Sequence, residues 1–235
     1  MCGRYVREAS AGEVAEAFEA SLRFDPAQQA LPSYNIAPTQ PAMIVRAGHK
    51  QRELAIVHWG LVPSWAKDPA VGQRMINARA ETVASRPAYR GAFRHRRCLV
   101  PATGFYEWAK RQRGKQPYLV RMAGRRLFAF AGLWEHWQSP EGSELETFTI
   151  ITTDANAKLR PVHDRMPVML TPEQADRWLD AAAEPQTLQS LLAPPEEAAL
   201  ELTPVSRMVN TPANDRPECV QPVAPPDGNL WQQGD

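Results

Sequence analysis

A chain of 235 residues with 43% apolar and 23% charged residues has ample material for a folded core. No apolar run approaches the ~18 residues of a membrane span, and the first residues lack the basic start and apolar stretch of a signal peptide. A net charge of +1 argues against a protein that coats nucleic acid indiscriminately, yet it allows a single basic groove.

A first helix is expected over residues 11–22, with Ser10 as N-cap, Glu13 completing a capping box, and Val14, Ala17, Phe18 and Leu22 as the apolar stripe. Residues 25–41 are rich in Pro, Asn, Ser and Thr and read as loop, including Tyr34-Asn35-Ile36-Ala37-Pro38-Thr39. Strand-like runs follow at 42–46, 54–59, 98–101, 105–108, 118–122, 127–133, 147–152, 168–170 and 203–209. Thr171-Pro172-Glu173-Gln174 opens a second helix, and a third starts at Pro185 and stops before Pro194-Pro195. Many short strands and few helices predict an α+β fold around a curved, largely antiparallel sheet. One domain is expected over residues 1–223, with 224–235 as a disordered tail.

The near-neutral total hides an asymmetry. Residues 71–100 carry Arg74, Arg79, Arg86, Arg90, Arg94, Arg96 and Arg97 against one acid, Glu81, whereas residues 171–202 are acidic apart from Arg177. A block built from arginine suits forked contacts to phosphate; the alternative is a solvated face paired with acids elsewhere. Cys2, Cys98 and Cys219 are odd in number and lack C-x-x-C spacing, which counts against a disulfide framework or zinc site and fits a reducing cytoplasm.

Four segments look unlike packing material. In Met1-Cys2-Gly3-Arg4, removal of the initiator methionine leaves a cysteine whose thiol and α-amine share one carbon skeleton. An α-amine titrates near ~8, so part of it is an uncharged nucleophile at neutral pH. Amine and thiol together can attack one aldehyde in turn, giving an imine and then a thiazolidine; otherwise Cys2 is simply a small residue near the chain start. In residues 75–82, Asn77, Arg79 and Glu81 share a face if the stretch is extended, and Asn77 and Glu81 align if it is helical. Glu107 stands among aromatics in Gly104-Phe105-Tyr106-Glu107-Trp108; burial would raise its pKa into the range for proton transfer, whereas a solvent-facing strand position would not. His163 in Val162-His163-Asp164-Arg165 is suited to moving a proton at neutral pH, or is structural. Trp65 follows Pro63 in a loop, where it either stacks on a nucleobase or packs back on the body.

Taken in order, Cys2-Gly3-Arg4-Tyr5, the segments at 34–39, 59–65, 76–82 and 104–108, and His163-Asp164-Arg165-Met166-Pro167 resemble the SRAP (SOS response-associated peptidase) family. The resemblance spans residues 2 to about 223. It implies a pseudo-barrel of strands with peripheral helices and covalent capture of abasic sites in single-stranded DNA, including single-strand/duplex junctions. It implies Cys2 as nucleophile, Asn77 as its holder, Glu107 as general acid–base and His163 as proton carrier. Contacts to DNA would come from Gly3, Arg4, Pro38, Trp65, Arg79, Arg86, Thr152 and Arg165. Ala66 stands where some relatives have a second aromatic. The family name also suggests a cysteine peptidase using Cys2, His163 and Glu107. No cofactor or metal is expected, and the reading is of a cytoplasmic monomer, nucleoid-associated when bound to DNA and apart from membranes.

Overall fold

The computed structural model describes residues 2–25, 31–111 and 114–224. Strand β1 (Tyr5–Arg7), helix α1 (Ala11–Ala17), β2 (Ala20–Leu22) and β3 (Ser33–Ile36) precede the hairpin of β4 (Pro41–Ala47) and β5 (Arg52–Trp59). The short β6 (Asn77–Arg79) and helix α2 (Arg90–His95) lead into β7 (Arg97–Ala102), β8 (Gly104–Arg111), β9 (Gly114–Met122), β10 (Phe128–Gln138) and β11 (Glu144–Asp154). Then come β12 (Arg165–Pro167), β13 (Met169–Leu170), helices α3 (Pro172–Leu179) and α4 (Pro185–Ser190), and β14 (Leu200–Pro204).

The strands form a five-stranded sheet, β14-β9-β8-β1-β3, and a larger one, β12-β11-β10-β7-β4-β5-β2. Because β11 also pairs in parallel with β5, through Thr147↔His58 and Phe148↔Trp59, strands β11, β10, β7, β4 and β5 close on themselves. Most other pairings are antiparallel. The expected α+β pseudo-barrel is therefore what forms.

Alternation along the barrel strands separates two cores. Ala42 and Ile44 of β4, Cys98 and Val100 of β7, and Phe128 and Phe130 of β10 pack with Tyr5, Phe105 and Val120 from the smaller sheet. Their neighbours Met43, Val45, Leu99, Ala129, Ala131 and Leu133 pack with Val14, Phe93 and Trp178 from the helices. Buried on both faces, β10 reads as a nearly unbroken apolar run. Edge-on ring contacts join the two sheets: Tyr5 meets Trp59 at 5.3 Å and Phe130 at 5.9 Å between centroids.

The capping boxes at Ser10/Glu13 and Thr171/Gln174 are both present. The first helix is shorter than expected. Phe18 caps it, Glu19 turns into the left-handed region with φ 51, and Ala20–Leu22 pair in parallel with Arg52–Leu54. Strand pairing at the edge of β5 prevails there over local helical periodicity. The expected strand at 203–209 also stops early, at Pro204, where the Ser206 hydroxyl accepts the Met208 N–H at 3.2 Å and starts a turn. Strand β3 lies in the stretch read as loop, β6 is the extended alternative for residues 75–82, and β1, β12 and α2 have no counterpart among the expected elements. Nearly all of the expected tail lies outside the described residues.

Candidate active site

Strand pairing brings the candidate residues together. Tyr5 pairs with Phe105 and Val6 with Gly104, and the Tyr106 N–H donates to the Arg4 carbonyl at 3.0 Å. Extending that antiparallel register carries Glu107 alongside Cys2 and Gly3. On the other side, β6 pairs in parallel with β11, Asn77 opposite Ile150. From there the Asn77 side-chain Nδ2 donates to the Cys2 carbonyl at 2.9 Å. The Tyr89 hydroxyl donates to the Asn77 carbonyl at 3.3 Å and supports β6 from behind. Asn77 Oδ1 is buried and has no hydrogen-bond partner among the described residues. His163 precedes β12, and its Nδ1 accepts the Arg165 N–H at 2.9 Å, which fixes the ring.

Burial sets the electrostatics. Glu107 is 3% exposed, and loss of hydration raises its pKa to about 7, with the Asp164 carboxylate adding to the rise. The carboxyl group is thus poised to give or take a proton at neutral pH, and the segment carrying His163 lies within electrostatic reach of it. Cys2 is completely buried. Burial drives its thiol pKa up, and the Glu107 carboxylate drives it further, against a weaker downward pull from the Arg4 N–H. Burial lowers the His163 pKa more than the adjacent, exposed Asp164 raises it, so its imidazole is neutral at pH 7. The Nδ1 that accepts the Arg165 N–H lies 2.9 Å from Asp164 Oδ1 as well. Only the protonated ring would favour that second contact. We assign the neutral ring, because Asp164 is well hydrated.

The sequence profile of the SOS response associated peptidase (SRAP) family matches residues 1–212. The chain belongs to the SRAP family. Among its relatives, abasic site processing protein YoqW of Bacillus subtilis (strain 168) is 41% identical over 223 residues, covering 94% of this chain and 99% of YoqW. Abasic site processing protein HMCES of Gallus gallus is 38% identical, covering 82% of this chain and 66% of its own length. Abasic site processing protein YedK of Escherichia coli (strain K12) is 31% identical, covering 95% and 100%. A crystal structure of a Bacteroides thetaiotaomicron protein superposes with a TM-score of 0.87 at 27% identity, covering 94% of this chain and all of that one.

The remaining residues that the sequence suggested for the site of this SRAP protein fall into two groups. Arg4 donates to Asn35 Oδ1 and to the Val209 carbonyl, both at 2.8 Å, with its guanidinium 5.9 Å from the Trp108 ring centroid. Arg165 grips both oxygens of Glu81, at 2.7 and 3.0 Å, and also reaches Asp154 and the Thr152 carbonyl. The Thr152 hydroxyl faces β6, 3.4 Å from the Ala78 carbonyl. These side chains are bonded within the protein. Arg79, Arg86 and Trp65 are exposed, while Gly3 and Pro38 are half-buried.

Tyr89, Asn35 and Trp108 were not singled out from the sequence. The partners of Arg4 lie 31 and 205 residues away, so no local signal marks them. Among the described residues no cluster of three or more His, Cys, Asp or Glu side chains is arranged to hold a metal ion.

Proposed function

We propose that this protein processes abasic sites in single-stranded DNA by capturing them covalently through Cys2, once Met1 has been removed. The observation that carries this reading is the clustering around Cys2 of an amide that grips its carbonyl and a carboxyl group whose pKa is raised to about 7. Membership of the SRAP family, with relatives named as abasic site processing proteins, supports it.

An abasic sugar is mostly a closed hemiacetal. Protonated Glu107 donates to the ring oxygen while neutral His163 takes the proton of the anomeric hydroxyl, which opens the ring to the aldehyde. The Cys2 amine adds to the carbonyl carbon to give a carbinolamine. Its hydroxyl leaves as water with the proton held on His163 while the Glu107 carboxylate takes a proton from nitrogen, giving an imine. The sulfur then bonds to the imine carbon, and the nitrogen takes the proton that the thiol gives up. Ring closure is intramolecular, where effective molarities reach about 10⁵–10⁸ M. An imine left open promotes β-elimination and strand cleavage, and the thiazolidine removes it. Asn77 Oδ1, an acceptor without a partner among the described residues, suits an amine N–H. Neutral His163 is suited to carrying protons between amine, water and carbinol.

The raised thiol pKa favours this order of events over a peptidase reading. A cysteine peptidase attacks with a thiolate, which burial and Glu107 disfavour here. The mature α-amine is the better first nucleophile, and the thiol follows at high effective concentration. Gly3, Pro38, Trp65, Arg79 and Arg86 are assigned to the DNA path. Arg4, Arg165 and Thr152 reach the strand only by exchanging or sharing their present partners.

The test is incubation with a single strand containing one abasic site, then a denaturing gel. A heat-stable shifted band is expected. Cleavage of a peptide panel with no shifted band would transfer the site to the peptidase reading, and intact mass of the same sample reports whether Met1 is gone.

A further inference from the structure

Residues 82–95 wind in successive turns. The Arg86 N–H reaches the Thr82 carbonyl at 2.9 Å, the Arg90 N–H reaches Arg86 at 2.9 Å, and the Phe93 N–H reaches Tyr89 at 2.8 Å. Side chains four residues apart on such turns share a face, so Arg86, Arg90 and Arg94 form one stripe. All three are exposed, and their guanidinium groups make no hydrogen bond or ion pair among the described residues. The next two arginines differ. Arg96 pairs with Glu135 at 2.8 Å, and Arg97 is buried against the carbonyls of Phe93, Arg94, Trp178 and Asp180. Fold stability accounts for that second pair and leaves the stripe unexplained.

Arg90 and Arg94 line a groove of about 330 Å³ that is also lined by Ser64 and Trp65. Trp65 is 67% exposed on a loop that is held in place. The Ala66 N–H closes a turn onto the Pro63 carbonyl at 2.8 Å, and the Trp137 indole N–H donates to the Ala66 carbonyl at 2.7 Å. The helix that carries Arg90 and Arg94 is tied through the chain to the candidate active site. Tyr89, which bonds the Asn77 carbonyl, immediately precedes Arg90, and the six-residue helix α2 extends about 9 Å from there.

We propose that Arg90 and Arg94 extend the DNA path beyond Trp65, so that this groove takes an unpaired nucleotide flanking the lesion, with its base on Trp65 and its phosphates on Arg90 and Arg94. Unpaired guanidinium groups complement phosphate in charge and shape. An exposed indole face suits an unstacked base, which a duplex does not offer. The assignment rests on the abasic-site reading for the choice of DNA as occupant.

The experiment measures noncovalent binding of lesion-free oligothymidylates about 4 and about 16 nucleotides long, the range of single-strand site sizes, at several salt concentrations. It compares wild type with the double variant Arg90→Gln, Arg94→Gln. The variant is expected to bind the longer strand roughly 10-fold or more weakly. Its log–log salt dependence should be shallower by about 1.4, for two single-strand phosphates. Its melting temperature and its capture of an abasic site in the short strand should match wild type. Equal affinity and equal salt slope on the longer strand overturn the assignment and leave the stripe to an acidic polypeptide. If wild type captures no abasic site but the length and salt effects appear, the abasic-site reading fails and the groove stands as a single-strand site.

Discussion

The buried cluster around Cys2 and the stripe of Arg86, Arg90 and Arg94 both carry polar groups, but they hold them in opposite ways. In the cluster, Glu107 and Cys2 are buried, and loss of hydration moves both pKa values up. On the stripe the cations stay hydrated and exposed. Burial tunes proton transfer at the expense of stability, whereas exposure keeps charge available for a partner and open to salt screening. The proposed chemistry and the proposed docking call for different environments, and the fold holds Glu107 and Cys2 buried while Arg86, Arg90 and Arg94 stay exposed.

The severest way to break this contrast is at Cys2. Cys2→Ala should abolish the heat-stable crosslink, and Cys2→Ser should keep the amine but lose the durable ring; a serine crosslink as lasting as wild type would refute the role of sulfur. Next is Glu107→Gln, expected to slow capture by about 10²–10⁴ in single-turnover assays. The same variant should be more stable than wild type at high pH. The folded-state pKa of Glu107 is raised above its ordinary 4.5, so the folded state binds more protons between 4.5 and about 7, and stability falls as pH rises through that window. Chemical denaturation should show near-equal stability at acid pH and a gain for the variant of about 3 kcal/mol above pH 8.

A smaller effect is expected at Asn77. Asn77→Ala removes the bond to the Cys2 carbonyl, worth about 0.5–1.5 kcal/mol, and should lower melting temperature slightly while slowing capture more. Smallest are the surface cations. Arg79→Gln and Arg86→Gln should each make the salt dependence of single-strand binding shallower by about 0.7 with unchanged melting temperature. Arg165→Gln, which breaks the grip on Glu81 and Asp154, should lower the melting temperature measurably, and no change there would reclassify Arg165 with the exposed group.

Much of this arrangement is legible in the sequence because its causes are local. A Ser or Thr three residues before Glu or Gln marks a capped helix start, as at Ser10 and Thr171. Apolar runs mark strands that are buried on both faces, as in β10. Other features have no local cause. The first helix ends at Ala17 because β5 offers its edge to Ala20–Leu22, a partner more than thirty residues away in the chain. Nothing near residue 34 shows that β3 will pair with β1.

The same division runs through the site. Sequence alone offered the candidates: a cysteine behind the initiator methionine, a carboxylate among aromatics, a histidine beside an acid, and an arginine-rich block. It left open whether Glu107 faced solvent or core and which arginines were committed to the fold. Tertiary structure decided both, since hydration and ion pairing depend on neighbours brought in from far along the chain. Antiparallel pairing of β1 with β8 buries Glu107 beside Cys2. Contacts with α3 and β10 take up Arg97 and Arg96, whereas Arg86, Arg90 and Arg94 face water, where charge remains available to a binding partner.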